Sequence, residues 1–509
     1  MFDKLLYPID RMVNKLSMYR LLLYYLIGLI VVAIIFSSVG IMHFSALSIA
    51  ISAIVLVLSC WIINKLFAYI FDAPINPESS ILTGLILALI IPSSPSGFGL
   101  LFMLAAAGLA MGSKYLLSIK SKHIFNPAAI AVFLTAIGPH QSASWWIGTA
   151  SMLPFVIIGG ILITRKIRRE PMVITYLLAT TIATALFSII GGNGVATNLK
   201  NMALNSAVFF LGFVMLTEPY TSPDTKGKRM LYGAIIGVIL APQFHIGHYY
   251  STPEFALVIG NLFAYIVSNK DKLFPTLRKK YLIAKDSAEF VFAPQHKFAY
   301  EPGQYMEFTL PHDKPDTRGS RRWFTLSSSP TEPDVKIGVR FYKDGSSYKS
   351  ALADIEPGDQ IVAAQLAGDF TLPKDPSQKL LFIAGGIGIT PFRSMVKYLI
   401  DKRQQRDIVL FYSARSPEYV AYTELFDEAA KKINLKVGYV IDGNQAGRLE
   451  NGINGRLNAK LISSKVPDFK DRLIYISGPL KMTEEIKEDL IAVGVNRANI
   501  KIDFFSGYA

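Results

Sequence analysis

The chain has 509 residues, of which 51% are hydrophobic and only 18% are charged, whereas a typical soluble domain carries about 25% charged residues. The charge is also uneven, because residues 1–272 hold 18 Lys and Arg against 9 Asp and Glu, and residues 273–509 hold 34 against 29. These numbers exclude a wholly soluble protein and a wholly membrane-embedded one. The single cysteine, Cys60, excludes a disulfide framework, a Cys-ligated zinc site and a four-thiolate iron–sulfur cluster within this chain.

The first half contains ten apolar runs, which predict about ten membrane-spanning helices; eight or nine spans also fit the pattern. Several runs exceed the roughly 18 residues that cross a bilayer, and others are short and interrupted by Gly or Pro. We expect an all-α polytopic membrane domain over residues 18–270, after a segment at residues 1–17. The runs lie near residues 19–39, 44–66, 80–93, 98–113, 124–139, 145–164, 172–190, 203–217, 230–242 and 254–268.

The Lys and Arg residues between these runs predict the orientation of the domain. Seventeen of them lie in one set of connections and at the ends of the region, whereas the alternate set holds only Lys200. Because positively charged connections stay on the cytoplasmic side, we expect a multi-pass cell-membrane protein with both termini and the second half in the cytoplasm. Much of the net charge of +14 lies in these connections, so we interpret it as orientation in the lipid bilayer, and we expect no nucleic-acid partner.

The membrane region also shows a weak internal repeat with a period near 127 residues. Five spans separate the two copies, so the copies point in opposite directions, which is a common way to build a binding site near the bilayer midplane. The alternative is that prolines end apolar helices here by chance. The prolines that carry the repeat, at offsets of 126 to 128 residues, are Pro92 and Pro219, Pro95 and Pro223, and Pro127 and Pro253.

The second half changes to short alternating runs from about Lys279, which predict an antiparallel β-barrel over residues 279–375. From about Gln378, apolar strands alternate with amphipathic helices, which predicts an α/β domain with a parallel sheet over residues 376–509. Helical pieces are expected at Ala429–Asn434 and Met482–Val493. The expected strands are Leu380–Ile383, Ile408–Tyr412, Val437–Ile441 and Leu473–Ser477.

Two motifs on the predicted barrel indicate a pyrophosphate site. Arg322 stands in the strand that continues to Phe324 and Thr325, and an Arg beside an exposed strand can pair with a pyrophosphate. The turn Gly345-Ser346-Ser347 precedes a helix and offers backbone N–H groups and hydroxyls to the same group. Taken singly, these motifs equally fit a buried strand Arg and an ordinary helix cap.

Two further motifs on the α/β domain indicate a second nucleotide. Gly385, Gly386 and Gly388, followed by Thr390 and Pro391, come directly after a strand, where glycines allow a nucleotide to approach the backbone. Short glycine motifs are weak evidence alone, since a tight turn explains them equally well. The order of all the motifs across the change from barrel to α/β domain favours a two-cofactor redox site. The last motif comprises Ser477, Gly478 and Pro479, with Asp503 and Tyr508 near the C-terminus.

On these motifs, residues 279–509 resemble the ferredoxin–NADP reductase superfamily, whose members bind FAD on the barrel and NADH or NADPH on the second domain. The resemblance implies that Arg322 and Thr325 contact FAD, with the Thr325 hydroxyl near flavin N5. Ser477 stands where many members carry Cys, and Asp503 where relatives more often have Glu. The resemblance further implies that Tyr305, Phe324 and Tyr348 line the cofactor, that Gly345, Ser346, Ser347, Gly478 and Pro479 bind the cofactors, that Tyr508 covers the flavin, and that Thr325, Ser477, Asp503 and Tyr508 are catalytic.

The membrane half resembles the B and D subunits of the sodium-pumping NADH:quinone reductase and Rnf complexes. The resemblance rests on Leu82-Thr83-Gly84, Phe125-Asn126-Pro127 and Thr217-Glu218-Pro219 with the residues around them. Those subunits carry FMN on a Thr in a Ser-Gly-Ala-Thr-like loop. The corresponding place is Gly194-Val195-Ala196-Thr197, which we expect in an outer loop. Because Val195 replaces a small residue and no Asp precedes it, covalent FMN at Thr197 and a plain polar loop both remain open.

Together these features predict a membrane-bound flavoprotein oxidoreductase. NAD(P)H would deliver a hydride to cytoplasmic FAD, and electrons would pass into or across the membrane domain to a quinone, an extracytoplasmic acceptor or a redox partner protein. Ser413 and Arg415 follow a strand and could bind a 2′-phosphate, so NADH and NADPH both remain open. We expect no protein-bound metal. The alternatives are a haem-type ferric reductase or NADPH oxidase, which needs paired axial His, and a transporter with a redox-sensing domain.

Overall fold

The computed structural model describes residues 13, 16–71, 77–95, 97–119, 122–138, 141–247, 249–268, 271–313, 315–316 and 318–505. The chain divides into two compact units, Met1–Lys270 and Asp271–Ala509. The first unit is helical, and the second combines antiparallel and parallel sheets with helices.

A helix lies in each of the ten apolar runs of the first unit. Within the described residues, four helices, α1, α2, α4 and α7, are long and apolar enough to cross a membrane. Prolines or glycines begin or end several of the shorter ones, as Pro127 and Gly138 do at α5. The helices are α1 Met18–Ser38, α2 Ala46–Ile70, α3 Pro77–Ile90, α4 Gly97–Leu116, α5 Pro127–Ile137, α6 Leu153–Lys166, α7 Glu170–Ile190, α8 Val195–Leu204, α9 Val208–Phe210 with a π-turn at Leu211–Met215, α10 Lys226–Ile239 and α11 Pro253–Val267.

Helix α8 corrects one expectation, because Thr197 lies in its first turn and not in a loop. The segment reads as polar and contains Asn and Lys, yet Val195, Leu199 and Met202 recur at helical spacing along it. Such spacing forms one apolar stripe on a short helix. No residue of α8 is buried within the unit.

A two-residue hairpin followed by a proline-headed helix occurs twice in the first unit. The strands β1 Ser118–Ile119 and β2 Lys122–His123 recur 127 residues later as β3 His245–Ile246 and β4 Tyr249–Tyr250. The side chains of Asn126 and Thr252 then cap α5 and α11, in which the first residue is proline.

Helix packing follows the same correspondence. Helix α4 packs on α2 and α5, and α10 packs in the same way on α7 and α11. The first helices of the two sets, α1 and α6, also pack together, as do the last, α5 and α11. The proline offsets in the sequence therefore coincide with a recurring helix arrangement.

Six antiparallel strands begin the second unit, in two three-stranded sheets. Isolated bridges at Leu273–Ala363, Thr276–Gln360 and Leu326–Ile337 connect the two sheets on both sides. The first strand begins at Thr276, three residues before the predicted start of this domain. One sheet is β5 Thr276–Ala284, β6 Ser287–Ala293 and β9 Val335–Arg340, the other is β10 Val362–Ala367, β7 Tyr305–Thr309 and β8 Arg321–Thr325, and helix α12 is Ser347–Asp354.

A six-stranded sheet, parallel throughout, forms the rest of the unit. The four predicted strands are present, and Gly452–Asn454 and Ile500–Phe505 add one strand at each edge. The predicted helical piece at 429–434 is only the end of a longer helix, α14. In spatial order the strands are β14 Gly452–Asn454, β13 Lys436–Ile441, β12 Ile408–Ala414, β11 Leu380–Gly385, β15 Leu473–Pro479 and β16 Ile500–Phe505, and the helices are α13 Thr390–Lys402, α14 Thr423–Ile433, α15 Ala459–Lys465 and α16 Leu480–Ala492.

Candidate functional site

The register of the parallel sheet brings four predicted site residues into one row. Gly385 pairs with Ser413, Ser477 pairs with the residue before Gly385, and Asp503 pairs with Ser477. The row lies at the carboxyl ends of four neighbouring strands, where open α/β sheets bind their ligands. Residues that are up to 118 positions apart in the sequence are thus placed side by side.

The glycine motif forms a tight turn directly after β11. Residues Gly386–Ile389 make a short 3-10 turn, and α13 follows with Thr390 and Pro391 in its first turn. Gly386 has a φ of +53°, and a Cβ on Gly388 would lie 2.5 Å from the Ser477 carbonyl oxygen. Larger residues would push this loop away from the end of β15, so glycine is required for the close approach.

Two buried hydroxyls near this turn have no hydrogen-bond partner among the described residues. They are the Oγ of Ser477, which is fully buried, and the Oγ1 of Thr325, whose residue is 3% exposed. A buried hydroxyl without a partner costs about 1–3 kcal/mol. The resemblance implies that both residues are catalytic, so the pattern fits groups that receive a partner from a bound cofactor.

The strand that ends in Thr325 lies close to the glycine turn. Leu326 bridges to Ile337 on β9, and the next residue of β9 is Gly338. A Cβ on Gly338 would lie 2.7 Å from Thr390 Cγ2 and 3.3 Å from the Ile387 side chain. The antiparallel strands and the glycine turn Gly386–Ile389 therefore meet within the second unit.

Positive charge surrounds the start of α12, where the sequence predicts a pyrophosphate. The buried Arg322 donates from Nη1 to the carbonyls of Arg318, Gly319 and Arg321, and its guanidinium lies 5.1 Å from the Tyr348 ring centroid. Burial, together with the charges of Arg322, Arg318 and Arg340, lowers the pKa of Lys349 to about 8. An anion would relieve this repulsion, so the residues present fit a pyrophosphate.

Ser347 corrects part of this expectation, because its groups are already bonded. Its backbone N–H donates to the Asp316 carboxylate at 3.0 Å, and its hydroxyl accepts from the Asp316 backbone N–H at 2.9 Å and contacts His312 Nε2 at 3.0 Å. Burial opposes ionisation of Asp316, but hydrogen bonds from Arg318 and Ser347 lower its pKa to about 2. A carboxylate thus lies at the helix start, and the neighbouring Ser346 hydroxyl caps α12 through the Lys349 N–H.

The predicted aromatic residues divide into a surface group and a buried group. Tyr305 meets Trp323 edge-on with ring centroids 5.3 Å apart, and Trp323 is 40% exposed. Phe324 packs against Tyr348 at 6.1 Å. Tyr348 is fully buried and donates to the Phe308 carbonyl at 3.2 Å, so it packs in the core beside Arg322, and its implied role in lining the cofactor stays a prediction.

Sequence reasoning missed Arg340, the last residue of β9. Its guanidinium lies 5.2 Å from the Tyr342 ring centroid and 5.3 Å from that of Tyr419, and Nη1 lies 3.6 Å from the place of a Cβ on Gly386. Its Nε is buried without a hydrogen-bond partner among the described residues. The sequence shows a cation, Arg340, shortly before the Gly345 turn, but only the fold places Arg340 beside Gly386. A small pocket there is lined by Ser287, Arg340, Gly386, Ile387, Tyr412, Tyr419 and Ala421.

The remaining predicted residues vary in exposure. Ser413 is half-buried, whereas Arg415 and Pro479 are exposed, and Gly345 is half-buried at the turn before α12. Gly478, near the end of β15, is buried, and a Cβ on it would lie 3.2 Å from the backbone of Gly385. Tyr508 lies outside the described residues.

In the first unit, a polar cluster surrounds Glu218, whose carboxylate accepts from Asn126 Nδ2 and Thr221 Oγ1 at 2.9 Å each. The Asn126 backbone N–H donates to Asn261 Oδ1 at 2.8 Å, and the π-turn Leu211–Met215 lies just before the cluster. Thr197 lies apart from it, exposed near the start of α8, where Gly194 provides no side-chain cap.

Two family models match separate parts of this chain. Residues 143–272 match the NQR2, RnfD, RnfE family, and residues 382–488 match the oxidoreductase NAD-binding domain. The chain is therefore a fusion of an NQR2/RnfD/RnfE-type membrane segment with an oxidoreductase NAD-binding segment, as the two resemblances predicted.

Several proteins similar to part of this chain are named as reductases or oxidoreductases. The glycine betaine monooxygenase reductase subunit of Chromohalobacter salexigens is 26% identical over 211 residues, which cover 41% of this chain and 56% of that protein. The NADH oxidoreductase HCR of Escherichia coli is 28% identical over 213 residues, covering 42% of this chain and 62% of that protein. The chain thus spans little more than half the length of the curated relatives that it matches.

Among solved structures, the flavohem-like FAD/NAD-binding domain of nitric oxide dioxygenase from Vibrio cholerae is similar to this chain. The sequence identity is 20% and the TM-score is 0.40, and the match covers 46% of this chain and 98% of that one.

Proposed function

We propose that this chain is a membrane-bound NAD(P)H oxidoreductase that carries FAD on its antiparallel strands and binds NAD(P)H at the carboxyl edge of its parallel sheet. One observation carries the proposal: the buried hydroxyls of Thr325 and Ser477, on different sheets beside the turn Gly386–Ile389, have no hydrogen-bond partner in the part of the chain that the structure describes. Two cofactors that meet at this turn would satisfy both groups. The reductase names of the relatives support the same activity.

The residues take distinct roles in this proposal. Arg322 and Lys349 hold the FAD pyrophosphate, with the α12 N-terminus available once Asp316 moves aside. Arg340 and the backbone of Gly386–Ile389 hold the pyrophosphate of the dinucleotide. Bound FAD would accept two electrons as a hydride and could release them singly. Thr325 and Ser477 would orient the reacting rings through hydrogen bonds from opposite sides.

In the membrane unit we propose ten spans in two inverted sets of five, with the second unit in the cytoplasm. The positive connections and the recurring hairpin and helix arrangement support this topology. Electrons would pass from FAD into the membrane unit and on to a quinone or an extracytoplasmic acceptor. Because the hydrocarbon core is about 30 Å thick, transfer across it requires a second redox centre.

Thr197 is our candidate for that centre, as the attachment point of FMN. Its side chain is exposed, and the first turn of α8 carries N–H groups with no side-chain cap. A phosphoester on Thr197 would lie among those N–H groups, which favour phosphate. This arrangement supports the resemblance more directly than a loop would.

The histidines disfavour the haem alternative. The histidines that the structure describes in the first unit, His43, His123 and His245, lie outside helices, in a bend or in the two short hairpins, and His140 and His248 lie outside the described residues. Axial haem ligands would have to project from facing spans. No feature of the described residues in the second unit favours a transporter that only senses redox state.

The proposal is tested by purifying the full chain in nanodiscs and mixing it with NADH or NADPH without oxygen. We expect flavin absorbance to bleach with one or both nucleotides, and acid extraction to release FAD. A chain that carries no FAD, or FAD that neither nucleotide reduces, would reject the proposed function.

A further inference from the structure

A buried set of polar contacts joins helix α13 to the segment that follows Thr325. Arg393 on α13 is 7% exposed, and its Nη1 donates to the Ser327 carbonyl at 3.0 Å. Its guanidinium also forms a two-point pair with Glu332, with Nη2 3.0 Å from Oε1. The next residue, Ser394, donates its hydroxyl to the Ser328 carbonyl at 2.6 Å. Two successive residues of the helix thus hold two successive carbonyls of the segment.

A second connection reaches the same segment through Glu289, which is 1% exposed on β6. Its Oε1 accepts the Ser327 hydroxyl at 2.9 Å and the Tyr422 hydroxyl at 2.7 Å, and its Oε2 accepts the Tyr281 hydroxyl at 2.6 Å. Tyr422 immediately precedes α14, in the parallel-sheet part of the unit. Its φ is +61°, an uncommon value for a non-glycine residue. Ser327 is therefore connected to the parallel-sheet part of the unit in two ways. Its carbonyl bonds directly to Arg393, and its hydroxyl is linked to Tyr422 through Glu289.

The Arg393–Glu332 pair is ionised. Burial raises the pKa of the Glu332 carboxyl, but Arg393 and Lys336 outweigh it and lower the pKa to about 2. Buried ion pairs contribute little net stability, because apolar residues of similar volume stabilise a fold as well or better. A guanidinium that grips a carboxylate at two points does, however, hold its partners in one orientation.

The position of these contacts matters for hydride transfer. Ser327 is two residues from Thr325, and Arg393 is three residues from Thr390, where the nucleotide turn joins α13. Transfer requires reacting atoms about 3–3.5 Å apart, and a misplacement of about 1 Å can cost roughly 100-fold in rate. The contacts span the two elements that would carry the two reacting rings.

We propose that Arg393 is a positioning residue, which sets the spacing between the Thr325 strand end and the turn Gly386–Ile389 by gripping Ser327 and Glu332. The inference rests on the proposed function, since it concerns the same pair of cofactors. Arg393 contacts neither cofactor in this scheme and acts through the backbone that it holds.

The test uses the full chain in nanodiscs and separates rate from stability. Arg393→Met removes one of the two cations, Arg393 and Lys336, that pair with Glu332, so it should lower both the melting temperature and the limiting rate of flavin reduction. The double variant Arg393→Met/Glu332→Leu removes both charges and should recover the melting temperature. We expect its limiting rate at saturating nucleotide to stay about 100-fold below wild type, with less than a threefold change in nucleotide Kd and a weaker nicotinamide–flavin charge-transfer band.

Arg406 offers a matched control, because it is a buried Arg that donates to the Asp375 and Pro373 carbonyls. Arg406→Met should lower the melting temperature and leave the limiting rate unchanged. If the limiting rate and the charge-transfer band of the double variant return with its stability, the positioning role is wrong. If wild-type flavin is not reduced by either nucleotide, the proposed function fails instead, so the two failures are distinguishable.

Discussion

The Glu218 cluster of the first unit and the glycine turn of the second unit differ in how their buried polar groups are bonded. Around Glu218 in the first unit, the carboxylate, the Asn126 amide and the Thr221 hydroxyl bond to one another. In the second unit, the Thr325 and Ser477 hydroxyls have no such partner among the described residues. A polar cluster that satisfies itself can hold helices together in a bilayer without a ligand, whereas unsatisfied buried hydroxyls indicate a place where a ligand completes the structure. Among the described residues, buried hydroxyls without a partner also occur in the first unit, at Ser52, Ser93 and Thr164. The difference therefore concerns these two places alone, and at the glycine turn it supports the cofactor sites that we propose in the second unit.

Any flavin of the first unit would then depend on a covalent bond, since Thr197 is exposed and no buried residue of α8 supports a pocket. We expect Thr197→Ala to abolish covalent flavin completely, as judged by mass spectrometry of the peptide that contains residue 197, while NAD(P)H still reduces FAD. Thr197→Ser should keep the flavin, because it retains the hydroxyl. Lys200→Ala on the same helix is the control. Covalent flavin that persists in Thr197→Ala would place it elsewhere.

In the second unit we propose that FAD is bound non-covalently, so weakening one contact should make FAD dissociate more readily. Arg322→Ala removes a charge-assisted contact to the pyrophosphate worth roughly 1.5–3 kcal/mol, so FAD affinity should fall about 10- to 150-fold. Flavin content after dialysis measures the loss. Arg278→Ala, on the exposed end of an ion pair with Asp334, should retain FAD. Full FAD occupancy in Arg322→Ala would refute the assignment of this Arg.

The roles of two cations, Arg340 and Arg415, should be distinguishable from the nucleotide kinetics of their variants. Arg340→Ala should raise KM about tenfold for NADH and NADPH alike, because both carry the pyrophosphate that we place beside Gly386. Arg415→Ala should raise KM for NADPH only, if its exposed side chain reads the 2′-phosphate. Steady-state kinetics with both nucleotides distinguish these outcomes, and a selective effect of Arg340→Ala would reverse the two roles.

The smallest expected effect is a pH dependence from Lys349. Its pKa is about 8 in the folded chain and near 10.5 when unperturbed, so below about pH 8 its charge opposes folding, and this penalty disappears as the pH rises from 8 to 10.5. A bound pyrophosphate would raise the pKa again, so FAD binding at pH 9 should take up protons. Calorimetry in buffers of different ionisation enthalpy measures the uptake, which Lys349→Met should eliminate. Equal proton uptake by wild type and variant would exclude Lys349 as its source.

Local chemistry in the sequence was sufficient to predict several features. Continuous apolar runs such as Leu380–Ile383 predict parallel strands because both faces of such strands are buried, and the glycines after that strand predict a turn open to a nucleotide. The carboxyl edge of the sheet then places Ser413, Ser477 and Asp503 together, since parallel strands end on the same side. The ten apolar runs likewise indicated a helix in each, because only hydrogen-bonded helices satisfy the backbone in a bilayer.

Contacts between distant segments were decided only by the tertiary structure. Arg340 reaches Gly386, Asp316 occupies the start of α12, and Arg393 grips Ser327, and none of these pairs shares a local spacing. The helix at Thr197 emerged because weak apolar spacing, at Val195, Leu199 and Met202, outweighs the polar residues between them. Sequence patterns indicate which face of a helix or strand is buried, but not which other element packs on that face. The packing element determines the partners of every charged side chain in the site, so only the tertiary structure reveals them.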